Sequence, residues 1–367
     1  MDLSRSFSAF SRHRGVETRF ERGLLEVQRE HRILAPRLAF APFFAILLPA
    51  AGDRISSPGG MVTEQLSSAR RTESLRTLVK RYGYGSILVG SLLVLWWGVE
   101  GPYPIENVSN GLYVVMLFVI LGLEVWIPYA KSWGDIRKVT RADVIYFVLA
   151  APIDALQMFL LIGLLAGTAQ YHHYLQVFDI WPKDAHVLLQ LFLVILIVDF
   201  FKYWYHRLTH EIPLLWRIHS IHHSLARLEM LRASYFYPID IFLTVAIGTL
   251  AMLVFGVSYE IIIFHNVYAG ITGLLNHSNA GLQCGVFDYV LNSIGHHRAH
   301  HSVGMPGGES NYGSFFNFTD RLFGTRYLPE DQGSFDPLGL DDSYEMPDTF
   351  LQQLAVPFRW QRVHKTP

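Results

Sequence analysis

"VLLQLFLVILIVDFFKYWYHRLTHEIPLLWRIHSIHHS" occupies Val187–Ser224. Val187–Tyr205 is almost wholly apolar, and the remainder places five histidines within His206–Ser224. A helix needs about 20 mostly apolar residues to cross roughly 30 Å of hydrocarbon. If this one continues past the membrane surface, His206 and His210 are four apart and stack on one face. "HSIHH" gives His219, His222 and His223, whose offsets of three and four again share a face. Pro213 in the link favours a break between two helices. Two helix ends therefore aim five imidazoles at one volume.

The rest of the 367-residue chain is equally greasy. Hydrophobic residues make up 51% and charged residues 17%, and the mean hydropathy is +0.24. A water-soluble globule carries about 25% charged residues. A net charge of -1 makes no electrostatic case for nucleic acid. The single cysteine, Cys284, excludes an internal disulfide framework and any multi-cysteine zinc or iron–sulfur site.

Six apolar stretches are expected as membrane helices: Gly85–Val99, Leu112–Tyr129, Val144–Ala169, Val187–Tyr205, Ile239–Val257 and Ile261–Leu275. Glu124 and Asp154 fall inside two of them, where a charge is costly unless paired, and so are expected to line a cavity, with a place near the membrane interface as the equal alternative for Glu124. Lys131, Lys138 and Arg141 lie between the second and third stretches, and Arg207, Arg217, Arg227 and Arg232 surround the histidines after the fourth. The alternate connections are poor in Lys and Arg, so the positive-inside rule puts the histidine clusters in the cytoplasm. The fold expected is all-α, a polytopic integral-membrane helix bundle with a cytosolic histidine-rich helical cap. Residues 1–75 read as an Arg-rich segment and linker with a short apolar stretch at 38–52. Residues 76–335 read as the membrane domain, and residues 336–367 as a cytosolic tail. The opening residues carry no secretory-signal pattern. Met61 offers an alternative start, and the first 60 residues are assigned no function.

Eleven of the 17 histidines fall between His206 and His301. "NHSN" contributes His277, and "GHHRAHHS" contributes His296, His297, His300 and His301. Ten protonated imidazoles in one site would repel one another, and an unfilled neutral cluster would need many hydrogen-bond partners. Divalent metal resolves both, because neutral imidazole is a strong nitrogen ligand. One tetrahedral zinc wants about four ligands, so ten candidates suggest two metals. An all-nitrogen donor set fits iron best, with zinc or manganese as alternatives. His265, inside an apolar stretch, is expected to hydrogen-bond within the bundle. His172, His173 and His186 read as loop or interface residues, and His13, His31 and His364 as incidental.

"DFFKYWYHRLTHEIPLLWRIHSIHHS" and "LNSIGHHRAHHS … NYGSFFNFTDRLFGT" resemble the fatty acid hydroxylase/sterol desaturase superfamily over roughly residues 140–330. The last segment is also similar to alkylglycerol monooxygenases and bacterial sterol desaturase-like proteins. The resemblance implies a membrane helix bundle in which two irons activate O2 and oxidise an unactivated C–H bond of a lipid. By motif, the implied ligands are His206, His210, His219, His222, His223, His277, His297, His300 and His301, with His296 as a tenth. Relatives often carry a second HxxxH pair before the last motif. Here His277 is followed at the fourth place by Gly281, which opens a ligand position to His296, water or Asn276.

Asp199 lies about two turns before His206, and it or Asp320 is expected to accept the outward N–H of a ligand histidine. Arg207, Arg217 and Arg298 are expected to bind carbonyls, acids or lipid headgroups. Asn311, Tyr312 and Gly313 read as a turn beside the site. Trp204, Trp216, Tyr235, Phe236 and Tyr237 are candidates for the wall of a lipid slot. The chain has no haem-binding, flavin or iron–sulfur motif. Electrons are therefore expected from a cytochrome, a ferredoxin or a reduced pterin. The function expected is an O2-dependent di-iron lipid hydroxylase in the bacterial inner membrane or the endoplasmic reticulum. The alternatives are a desaturase using the same site, a membrane zinc hydrolase, and a metal-binding transporter.

Overall fold

A computed structural model describes residues 58–134, 138–167, 180–304, 308–330 and 337–365. The compact body begins at Leu66. The described residues form helices and isolated bridges, with no strand among them. Helix α1 runs Pro58–Glu100, α2 Ile105–Trp126, α3 Arg141–Gly167, α4 Val187–Glu211 and α5 Pro213–His223. Helix α6 spans Pro238–Val254, α7 Tyr259–Asn276 and α8 Ile294–His300. The segment expected as a linker is helical from Pro58 and runs unbroken into the first apolar helix. No glycine or proline interrupts it between Gly60 and Gly83 to oppose continuation.

Among the described residues, three helices are long and apolar enough to cross a membrane: Arg71–Glu100, Ile105–Trp126 and Val187–Glu211. They contain the first, most of the second, and the fourth expected stretches. The third runs past the described residues, and the side chain of Asp154 lies outside them. The fifth and sixth expected stretches form helices shorter than those three. Helix α6 has 17 residues and α7 has 18, about 26 Å each at the α-helical rise. Helix α6 packs against α4, and α7 packs against α2 and α4.

Two apolar cores hold this arrangement. One joins α1, α2, α4 and α7 through Leu88, Leu95, Ile120, Leu191, Val194, Phe264 and Ile271. Large apolar side chains on the outer faces, including Phe118, Val125, Phe159 and Phe192, are exposed, as a lipid-facing belt requires. The second core lies around α5 and draws on Ile221, Leu225, Tyr235, Leu338, Val356 and Val363. Residues 337–365 are therefore part of the body. Gln353 is buried and donates to the Tyr235 hydroxyl at 2.7 Å, and Tyr237 donates to the Leu354 carbonyl at 3.3 Å.

Glu124 is resolved by pairing within the protein. Its Oε1 accepts backbone N–H groups from Met230 and Asn279, both at 2.7 Å. The carboxylate thus ties the turn after α7 to the loop after α5, which fixes His277 relative to His222.

Candidate metal centre

Nine histidines converge in two groups. The first is His206, His210, His219, His223 and His300, and the second is His222, His277, His297 and His301. Within each group the ligating nitrogens lie within 4.8 Å of one another. Helix periodicity explains the partition. On α5, His219 and His223 are four apart and serve the first group, while His222 is rotated toward the second. On α8 and its C-cap the pattern reverses. His297 and His301 serve the second group and His300 the first. Each HxxHH helix therefore lies between the two sites. Helix α4 adds His206 and His210 to the first, and the C-cap of α7 adds His277 to the second.

Hydrogen bonds hold the outer ring nitrogens. Nδ1 of His206 lies 2.9 Å from the Tyr312 carbonyl, and Nδ1 of His222 lies 3.2 Å from the Tyr235 carbonyl. Nδ1 of His277 faces the Gly273 carbonyl at 2.9 Å, and Nδ1 of His300 faces the Ser310 carbonyl at 2.6 Å. Nδ1 of His219 meets Oδ2 of Asp240 at 2.8 Å. A carbonyl or a carboxylate accepts only, so each of these Nδ1 atoms carries the proton and each Nε2 presents a lone pair.

That assignment makes the inner geometry informative. His222 Nε2 and His277 Nε2 lie 3.3 Å apart, and His297 Nε2 is 2.9 Å from His277 Nε2. The lone pairs of His222 and His277 face each other, which is repulsive unless a cation lies between them. In the first group, Nε2 of His210, His219, His223 and His300 is buried without a hydrogen-bond partner, as are both ring nitrogens of His301 in the second. Burial pushes the His277 imidazole down to about 4. Burial, reinforced by neighbouring imidazoles, holds His222, His223, His297, His300 and His301 well below the ordinary histidine range. The rings are thus neutral donors at physiological pH. The donor sets suit two divalent ions with borderline nitrogen preference.

His296 stands outside both groups. On α8 it is one residue off the line of His297, His300 and His301, and its Nδ1 lies 3.1 Å from Ser293 Oγ. His265 is also separate, with Nδ1 3.2 Å from Asn266 Oδ1. His186 caps α4 by accepting from the Leu188 N–H at 3.3 Å. His172, His173, His13 and His31 lie outside the described residues. The Asn276 side-chain amide donates to the Asn292 carbonyl at 2.9 Å rather than joining a group.

The roles expected of Asp199 and Asp320 differ from what the structure holds. Asp199 accepts backbone N–H groups of Ser314, Phe315 and Phe316 at 2.7, 2.7 and 3.1 Å. Asp320 accepts from the Tyr312 and Gly313 N–H groups and from Asn292 and Thr325. Neither touches an imidazole. Together they shape the Tyr312–Phe316 loop, and its carbonyl reaches His206. Gly313 is required there, since a Cβ would stand 2.5 Å from the Phe316 carbonyl. Asn311 adopts φ 55° and donates to the His296 carbonyl at 3.0 Å.

Sequence reasoning missed Asp240 and Glu309. Asp240 begins α6, 21 residues from His219, and only the fold joins them. Glu309 Oε2 lies 3.8 Å from His210 Nδ1 and accepts from the Tyr312 hydroxyl at 2.8 Å. Of the expected slot residues, Phe236 stacks on His222 with ring centres 3.8 Å apart, and Trp216 lies 5.1 Å from His210. Trp204 instead packs on Phe323, while Tyr235 and Tyr237 pack on the C-terminal segment. Arg298 is buried, donating to the Ser278 and Ala280 carbonyls at 3.0 and 2.8 Å beneath the Tyr129 ring. Arg207 pairs with Glu211 at 2.6 Å.

Comparison with known proteins adds an independent line. Residues 191–325 match the fatty acid hydroxylase family model. Ornithine lipid hydroxylase OlsE of Rhizobium tropici is 30% identical over 258 residues, 68% of this chain and 75% of that protein. An alkylglycerol monooxygenase of Danio rerio is 28% identical over 176 residues, 45% of this chain and 36% of that protein. A very-long-chain aldehyde decarbonylase of Oryza sativa subsp. indica is 29% identical over 140 residues, 37% of this chain and 54% of that protein. No solved structure matches.

Proposed function

The chain belongs to the fatty acid hydroxylase family, and from that premise we propose that it is a membrane-bound, O2-dependent di-iron enzyme that hydroxylates a membrane lipid. One observation carries the reading: nine imidazoles, six of them buried and three half-buried, form two groups, and the Nδ1 acceptors of His206, His219, His222, His277 and His300 leave the Nε2 lone pairs of those five rings free for metal. Iron bound there supplies redox chemistry, so that with two electrons and two protons one atom of O2 enters a C–H bond and the other leaves as water.

The chain's own part is positioning and exclusion. His219 is held by Asp240, and His206, His222, His277 and His300 are held by backbone carbonyls, which fixes tautomer and ring orientation. Aromatic walls at Phe236, Trp216 and Tyr312 close around the rings and keep water from a reactive centre. The Tyr312–Phe316 loop, pinned by Asp199 and Asp320, sets the position of His206. Glu309, beside His210 and bonded to Tyr312, is placed to hold a proton at the edge of the first group.

The Rhizobium relative acts on an ornithine lipid, and the similarity supports a polar membrane lipid as the substrate class here. The positive-inside distribution of Lys and Arg supports a cytoplasmic position for the histidine groups. The reading is tested by metal analysis of the purified protein, O2 consumption with reductant and lipid, and lipid mass analysis of cells with and without the protein. Two irons per chain and a lipid product gaining one oxygen are expected. A product lacking two hydrogens would make the enzyme a desaturase. Zinc without O2 consumption would overturn the oxygenase reading.

A further inference from the structure

The first histidine group is connected to the protein surface by aromatic rings in contact. Trp216 lies 5.1 Å from His210 and 5.6 Å from His223, centre to centre. Its Nε1–H donates to the Tyr344 hydroxyl at 3.2 Å. Tyr344 in turn lies 5.8 Å from Trp360. These spacings are those of directly packed aromatic pairs. Trp360 lines a surface cleft of about 430 Å³ with Arg217, Phe358, Arg359, Gln361 and Arg362. Arg359 and Arg362 are exposed, and the Arg217 guanidinium lies 6.0 Å from the Trp360 ring centre. None of these three arginines has an ion-pair partner among the described residues. Lys365 nearby is already paired with Glu345. Phe358 is 84% exposed at the mouth of the cleft.

We propose that this cationic cleft docks an acidic one-electron carrier protein, and that Trp360, Tyr344 and Trp216 conduct its electrons to the five-histidine group. The proposal rests on the hydroxylase reading, which requires reduction from outside, because the chain carries no flavin or iron–sulfur motif and its single cysteine is buried. Per turnover two reduced carriers each give up one electron. With two protons these reduce one oxygen atom of O2 to water, while the other oxygen enters the lipid C–H bond. Electron tunnelling falls steeply with distance, so rings in contact make a better path than any route through aliphatic packing. Arginines around an exposed aromatic suit a small, electrostatically steered protein interface. A purely structural aromatic cluster would not need to end among unpaired cations.

The test uses the full-length protein in detergent, with a plant-type ferredoxin as the acidic carrier. Binding of oxidised ferredoxin is measured on metal-free protein, and reduction of the iron-loaded centre is followed by anaerobic stopped-flow absorbance. The double variant R359E/R362E is expected to weaken binding and slow ferredoxin-driven reduction by about ten-fold or more, and to lose the salt dependence of both. Its reduction by dithionite should be unchanged. Trp360→Leu is expected to bind ferredoxin normally yet accept its electrons about ten-fold more slowly. Wild-type binding and reduction rates in R359E/R362E would overturn the proposal. So would a defect confined to binding of anionic phospholipid vesicles, which would make the cleft a membrane contact. If wild-type protein holds no iron, or iron with dithionite oxidises no lipid, the hydroxylase reading fails, while ferredoxin binding to the metal-free protein still decides the docking site.

Discussion

At the scale of single residues, each imidazole's role depends on what holds its far nitrogen. His300→Ala removes a donor from the five-membered group and His222→Ala from the four-membered group. Each is expected to lower metal content and abolish activity while the protein still inserts in the membrane. His265→Ala should retain full metal, since His265 belongs to neither group; elemental analysis of the three variants decides the assignment. Asp240 accepts from His219 with one oxygen and from the Tyr205 hydroxyl with the other, each at 2.8 Å. Asp240→Asn is expected to weaken metal binding by about 10–100-fold, as loss of a ligand's orienting partner does, and a chelator competition measures it. Protonation sets a third expectation. His277 binds its proton at about 4 in the folded protein and near 6.5 when unfolded. Between those values the unfolded chain holds more protons, so stability falls as pH drops. Thermal unfolding of the metal-free protein should shift to lower temperature as pH is taken from about 6.5 toward 4. A flat profile would mean that the imidazoles are not buried together.

At the scale of elements, the site is a property of how helices and one loop meet. Helix α4 carries two ligands and, near its middle, Asp199, which gathers three consecutive amides of the loop that orients His206. Asp199→Ala leaves those donors without a carboxylate and should destabilise the protein by about 3 kcal/mol. Chemical denaturation in detergent measures the loss, which the ligand-bearing face of α4 does not by itself predict. The HxxHH pattern was legible as a ligand motif from spacing. Its division between two sites was not, because that depends on where α5 and α8 lie relative to each other. Helices α6 and α7, at 17 and 18 residues, are shorter than the three long apolar helices, and apolar composition alone does not fix where such a helix starts and stops. His296 was grouped with its neighbours because adjacency in sequence conceals a 100° turn on the helix.

At the scale of the whole molecule, the C-terminal segment completes the cap. Val356 and Val363 are buried at 1% and 6% exposure, and Gln353 bonds the Tyr235 hydroxyl. Deletion of residues 340–367 is expected to abolish folded, monodisperse protein, as size-exclusion chromatography in detergent would show. A full yield of metal-loaded protein without these residues would contradict the packing. The same segment reports sidedness. Asp342 is exposed, and Cys284 is buried and will not compete for a thiol reagent. Asp342→Cys should react with a membrane-impermeant maleimide only from the cytoplasmic face of oriented vesicles. Labelling from the opposite face would invert the topology.

The amino-acid sequence alone pointed to the membrane character, the helical class and ten candidate imidazoles, because apolar length and three–four histidine spacing are local properties of a chain segment. Tertiary structure decided the rest. It split the histidines five and four, supplied Asp240 and the carbonyls that accept from Nδ1–H, turned Asp199 and Asp320 to the loop, and packed residues 337–365 against the second core. Each of those depends on contact between residues far apart in the chain, and such contacts exist only once the helices have packed.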